Sequence, residues 1–166
     1  MAVPKKETLE ERVQELSQQL SQVAPALNSE SDKLGASISK LEDRIKPLGL
    51  GVSSWAVIDA WHSEDGTHYS YDEIGYTRTN GKWGFAIRSR SGNEMEGDDD
   101  NTEWPFNEAP RGMRIRAVKK IPELLEKLVK DASSMTEDVS KCAGQVELFA
   151  NAFTATIPSA PKEKKS

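Results

Sequence analysis

Eleven apolar residues recur at alternating steps of three and four along the C-terminal third of the chain. They are Val118, Ile121, Leu125, Leu128, Ala132, Met135, Val139, Cys142, Val146, Phe149 and Phe153. That spacing places all of them on one face of a helix and cannot be satisfied by a strand, whose side chains alternate every two residues. From Pro122 to Phe153 such a helix spans about 48 Å at 1.5 Å per residue. Asn107, Glu108 and Pro110 suit a helix start. Pro122 leaves two options: a short helix ending near Lys120 with a new one beginning at Pro122, or a kink.

The N-terminal segment carries a related pattern. Thr8 and Glu11 have the spacing of a capping box, in which hydroxyl and carboxylate each satisfy an amide orphaned at a helix start. Leu9, Val13, Leu16, Leu20, Val23 and Leu27 follow in steps of four and three, and after one slip in phase Leu34, Ile38, Leu41, Ile45 and Leu48 resume. Pro25 interrupts the run, and a proline inside a helix costs about 3 kcal/mol. Either the helix kinks there or a second one starts near Asn28 or Ser29; the near-continuity of the seam favours one kinked arm. Pro47, Gly49 and Gly51 end it.

Between the arms the period changes. Trp55, Val57 and Trp61 alternate with Ala56, Ile58 and Ala60, which reads as a strand buried on both faces or central in a sheet. After the turn HSEDGTH comes the strongest local signal, Asn80-Gly81 between two β-rich runs. Both residues tolerate the positive φ of a type I′ turn, so a hairpin is predicted. A two-residue turn fixes register: Thr79 opposite Lys82, Arg78 opposite Trp83, Tyr76 opposite Phe85, Ile74 opposite Ile87. One face then holds Ile74, Tyr76, Trp83, Phe85 and Ile87, with Arg78 over the Trp83 ring. The other pairs Thr77 with Gly84, Gly75 with Ala86, Glu73 with Arg88 and Tyr71 with Arg90. Its small centre invites the close approach of a helix or, failing that, a ligand. Met95 to Glu103 reads as an acidic loop, and Trp104-Pro105-Phe106 as an aromatic plug.

These segments predict an α+β chain. Long N- and C-terminal helical arms (1–48 and 108–156) pack as an antiparallel stalk, with a small antiparallel β head (49–107) inserted between them. A Pro- and Lys-rich tail (157–166) is expected to be disordered. The 166 residues are 36% hydrophobic and 30% charged, a balance that suits an elongated molecule with much surface. The lone Cys142 allows no disulfide framework within the chain. The opening MAVPKKETLEERV has no apolar signal core, and the stretch Leu48 to Ile58 is too short for a bilayer. A soluble, cytoplasmic protein that does not engage membranes is the expectation.

Motifs for chemistry are sparse. Cys142 lies on the helical seam and reads as packing. His62 and His68 flank a turn with Glu64 and Asp65, but their spacing matches no zinc motif. The run Asp98, Asp99, Asp100 lacks the glycine and bidentate glutamate of a calcium loop. The glycines of GKWG follow a hairpin and open no helix, so they are no phosphate loop. No catalytic residue, metal or cofactor is expected, and the chain is read as a non-enzyme.

The basic residues draw more interest. Arg78, Lys82, Arg88 and Arg90 lie on the hairpin without an intervening acid, and Arg111, Arg114, Arg116, Lys119 and Lys120 open the C-terminal arm. Glu94, Glu96, Asp98, Asp99, Asp100, Glu103 and Glu108 lie between the two groups. Either this acidic loop folds back and neutralises the patch, or the patch grips phosphates while Trp83 and Tyr76 stack on bases. A net charge of −5 supplies no global pull toward nucleic acid, so the first option is preferred. Arg78, Lys82, Trp83, Arg88, Arg90, Arg111, Arg114 and Arg116 are the candidate contacts for a partner or a phosphate. The function expected is that of a non-catalytic adaptor, inhibitor or assembly factor presenting its head or stalk to a protein. A homodimer is possible, and nucleic-acid binding through the basic hairpin and neck is the alternative.

Overall fold

The computed structural model describes residues 8–95 and 97–156. The expected tail at 157–166, the first seven residues and Glu96 of the acidic segment lie outside them. Helix α1 runs Leu9–Ile45 and is followed by a short 3₁₀ turn, Lys46–Leu48. Strands β1 (Ser54–His62), β2 (His68–Thr79), β3 (Lys82–Asn93) and β4 (Asp98–Pro105) come next. A 3₁₀ turn, Phe106–Glu108, leads to α2 (Arg111–Val118) and α3 (Ile121–Thr156). The α+β class, with a long helix at each end and an antiparallel sheet between, is what the chain adopts.

Thr8 and Glu11 close the capping box: the Glu11 amide donates to Thr8 Oγ1 at 3.2 Å, and the Thr8 amide donates to a Glu11 carboxylate oxygen at 2.9 Å. Pro25 lies inside α1, which stays a single helix. At the other end Pro122 marks a real break, since α2 stops at Val118 and α3 begins anew at Ile121.

The four strands form a meander in the order β1-β2-β3-β4, every neighbouring pair antiparallel. The β2–β3 register is the one the turn predicts, from Thr79 opposite Lys82 through Tyr71 opposite Arg90. Asn80 and Gly81 take φ of 52° and 80°, as a type I′ turn requires. Two expectations need correction. β1 is an edge strand rather than a central one, and Trp61 near its end is exposed. Its apolar residues lie on both faces because Ala56 and Ile58 join the core while Trp55 covers Gly75 on the other side; a bulge between Val57 and Asp59 then shifts the alternation of the residues that follow. The acidic stretch is not a loop: Asp98–Pro105 is β4, the opposite edge strand, where charge discourages pairing with another sheet.

The core lies on one face of the sheet. Ala56, Ile74, Tyr76, Phe85 and Ile87 face Ile38 and Ile45 of α1, Phe106, Ala109, Ala117 of α2, and Leu124 and Leu128 of α3. Phe85, Phe106, Ile74, Ile87 and Leu124 are completely enclosed. At the β3 edge, where β4 has ended, Glu42 of α1 accepts a hydrogen bond from the Phe85 amide at 2.7 Å. That contact satisfies a ladder donor left without a strand. Asp131 of α3 likewise accepts from the buried Ser54 hydroxyl at 2.5 Å.

The arms come together near the sheet, where Ile38, Ile45, Leu124 and Leu128 share one core. Farther out they do not continue as a zipped stalk: both outer seams are exposed. The sheet supplies a large apolar face that each helix crosses, so each buries the stretch that reaches it and leaves the remainder unpaired.

Candidate interaction surfaces

Two surfaces merit attention: the helix-free face of the sheet and the outer seams of the arms. On the sheet, side chains close the small-residue centre: the Glu42 carboxylate of α1 lies against Gly84. The Trp55 indole of β1 lies against Gly75, so close that a Cβ built there would stand 2.5 Å from the ring. The Arg88 guanidinium stacks on that indole, 3.8 Å from its centroid. Arg88 also donates from Nε to Glu73 at 2.7 Å, and Arg90 reaches the same carboxylate oxygen at 3.0 Å. Arg90 sits over the Tyr71 ring at 5.7 Å, and the Tyr71 hydroxyl is 2.7 Å from His62 Nε2. The result is a continuous stripe, Trp55–Arg88–Glu73–Arg90–Tyr71–His62, running over β1, β2 and β3. Glu73 is buried although charged, which its two arginines make tolerable.

The stripe brings together only two of the eight basic-patch candidates. Arg78, Lys82 and Trp83 lie at the hairpin tip. Arg78 donates to the Gly81 carbonyl at 3.0 Å, while Trp83 stacks on Tyr76 with the ring planes 19° apart. Arg111, Arg114 and Arg116 lie on α2. Arg111 donates to Asn28 of α1 at 2.9 Å, and Arg116 pairs with Asp59 and Asp72 at 3.2 and 3.0 Å. Carboxylates do face several of these cations, but they are Glu73, Asp59 and Asp72 of the first two strands. Two acids of β4 have other partners: Asp99 accepts from the Tyr69 hydroxyl and Glu103 from the Thr79 hydroxyl. The Asp99 carboxylate raises the Tyr69 pKa, because the phenol donates to it.

The turn before β2 uses its polar residues on itself. Asp65 accepts from the Ser63 hydroxyl and from the amide and hydroxyl of Thr67, which lowers its pKa to about 2. His68 is 2.9 Å from Thr67 Oγ1 through Nδ1. Among the described residues, no three His, Cys, Asp or Glu side chains are grouped so as to hold a metal ion. No described helix is long and apolar enough to cross a membrane.

The arms present a different surface. On α1, Leu9, Val13, Leu16, Leu20, Val23 and Leu27 are all exposed, Leu20 at 70%. On α3 the same holds for Met135, Val139, Val146, Phe149 and Phe153, the last also at 70%, and for Cys142. Met135, Val139, Cys142, Ala143, Val146 and Ala150 line one largely apolar surface together with Asp138 and Glu147. Both seams were legible as helical periodicity. The Trp55–Gly75 contact was not, because the bulge in β1 hides that strand's register. The Glu73–Arg88 and Tyr71–Arg90 pairs were read from the hairpin register; the diagonal reach of Arg90 to Glu73 was not.

The chain matches no protein-family model, no curated protein and no solved structure.

Proposed function

We propose that the protein is a non-catalytic interaction module whose two helical arms bind protein through their apolar seams, with the sheet body as a rigid root. The observation that carries this reading is the exposure of two long, regular seams of Leu, Val, Met and Phe. Scattered apolar residues on a surface need no explanation, but contiguous apolar stripes of this length mark binding surfaces. Periodic helical anchors are the form in which one helix is recognised by another.

The test is affinity capture from lysate with nuclease present, comparing wild type with Leu20→Glu and Val146→Glu. A protein retained at stoichiometric amounts by wild type and lost from either variant supports the reading. A protein retained equally by all three overturns it.

Nucleic-acid binding through Arg88 and Arg90 stands second, supported by two guanidinium–aromatic stacks on the helix-free face. Glu73 already engages both cations, so a phosphate would have to compete with a buried carboxylate. If that reading is correct, Arg88→Glu with Arg90→Glu weakens binding, and affinity falls steeply with added salt. Binding unchanged between low and physiological salt removes it.

A further inference from the structure

We infer that the occupant of the exposed seams is a second copy of this chain, the α1 seam of each copy lying along the α3 seam of the other. The inference rests on the reading of the arms as protein-binding surfaces and names their partner.

The two seams match each other in every dimension the chain controls. Each has six positions, from Leu9 to Leu27 and from Met135 to Phe153, and each steps four, three, four, three, four. Both therefore extend about 27 Å at 1.5 Å per residue. The step pattern reads the same in either direction, so the seams stay in register over their whole length whichever way they run.

One copy does not satisfy both seams by itself: its arms share a core only where they meet the sheet, and farther out each seam is exposed. α1 is tied down from Asn28 onward, by Arg111 and then by Glu42 at the β3 edge. α3 is tied down through Lys127 on the Trp55 carbonyl and Asp131 on Ser54. Beyond these anchors both arms are bare. A two-fold dimer covers the four seams of two copies at once and leaves none over, which is the closure that symmetric association provides. A foreign partner would need two separate seams of its own to do the same.

The flanks of the seams favour a copy as well. Beside the α3 seam lie Thr136, Ala143, Gln145 and Ala150, with Asp138 the charged exception; beside the α1 seam lie Ser17, Gln19, Ala24 and Ala26, with Glu10 and Arg12 the charged exceptions at its outer end. Most positions that set partner choice by charge in paired helices are thus uncharged, and Glu10 and Arg12 add one charge of each sign, so charge does little to exclude an identical chain. Twelve seam residues per copy, with as many flanking ones, reach the roughly 20–30 residues a side of a standard specific interface.

The test is mass measurement by light scattering and sedimentation on the full chain, wild type and two variants. Wild type is expected at twice 18.4 kDa. Leu20→Glu alone and Val146→Glu alone each put a charge in both seam pairs of a dimer, so each should weaken association by roughly tenfold or more. An equimolar mixture of the two variants should regain the dimer, because the mixed pair keeps one seam wholly apolar. Near-ultraviolet circular dichroism checks that the body is unchanged, which the exposure of both sites leads us to expect. A dimer in Leu20→Glu as strong as wild type, lost only in Val146→Glu, overturns the exchange in favour of α3 pairing with α3. A monomeric wild type that still captures a foreign protein through its seams overturns the inference and leaves the proposed function standing. A monomeric wild type whose seams capture nothing removes both.

Discussion

Helix α1 is two helices in its behaviour, though one in its geometry. Its second half, from Leu34 to Ile45, meets the sheet: Ile38 is 4% exposed and shares a core with Phe85 and Ile74. Its first half, from Leu9 to Leu27, has the same spacing of the same residue types and touches nothing that buries it. Helix α3 repeats the contrast in reverse, enclosed at Leu124 and Leu128 and bare from Met135 onward. Hydrophobic periodicity therefore states that a face needs a partner; it does not state which partner. Stability should follow the enclosed halves, and association the bare ones.

The widest gap should separate two leucine truncations. In a Val146→Glu background that keeps the chain monomeric, Leu124→Ala is expected to cost about 2–5 kcal/mol, since it removes a fully enclosed side chain and leaves a cavity. Leu20→Ala in the same background should stay within about 0.5 kcal/mol. Denaturant unfolding of both variants measures this directly, and equal losses would break the comparison. Next comes Glu73→Gln, which leaves Arg88 and Arg90 without their shared carboxylate. Charge-assisted hydrogen bonds of this kind contribute about 1.5–3 kcal/mol. The arginines are partly exposed, so the lower end is expected.

Smaller still is Thr8→Ala, which opens the capping box and should cost the α1 arm about 1 kcal/mol of helix stability. It should show as lost far-ultraviolet helicity with the unfolding midpoint of the body unchanged. The smallest effect concerns the turn before β2. Asp65 titrates near 2 against an ordinary 3.8 because Ser63 and Thr67 hydrogen-bond its carboxylate. A depressed carboxylate pKa means the turn's contribution is complete above about pH 4 and is lost as pH falls toward 2. Carboxyl chemical shifts should place the midpoint near 2 in wild type and closer to 3.8 in Ser63→Ala. An unchanged midpoint in that variant would remove the hydroxyl as the leading cause.

Much of the fold was legible wherever the signal was local. Asn80-Gly81 fixed the whole β2–β3 register, Thr8 and Glu11 fixed the start of α1, and Pro122 marked the junction of α2 and α3. Legibility failed where a bulge or an edge intervened. β1 read as central because Ala56 packs in the core while Trp55 covers Gly75 on the other face, so both sides of an edge strand carry apolar residues. β4 read as a loop because its acids oppose strand propensity, yet pairing with β3 from Ala86 to Asn93 outweighs that local preference. The basic candidates were found by composition, but composition could not distribute them over the hairpin tip, the open sheet face and α2.

By itself, then, the sequence determined periodicity, caps and turns, because each depends on residues a few positions apart and on the geometry of one element. It also determined that both arms carry long apolar seams. Only the tertiary structure decided that the helices spend their inner halves on the sheet, that Trp55 fills the space above Gly75, and that the outer seams remain open. Those outcomes turn on which apolar faces compete for the same partner, a matter of area and position across the whole chain that no local pattern contains.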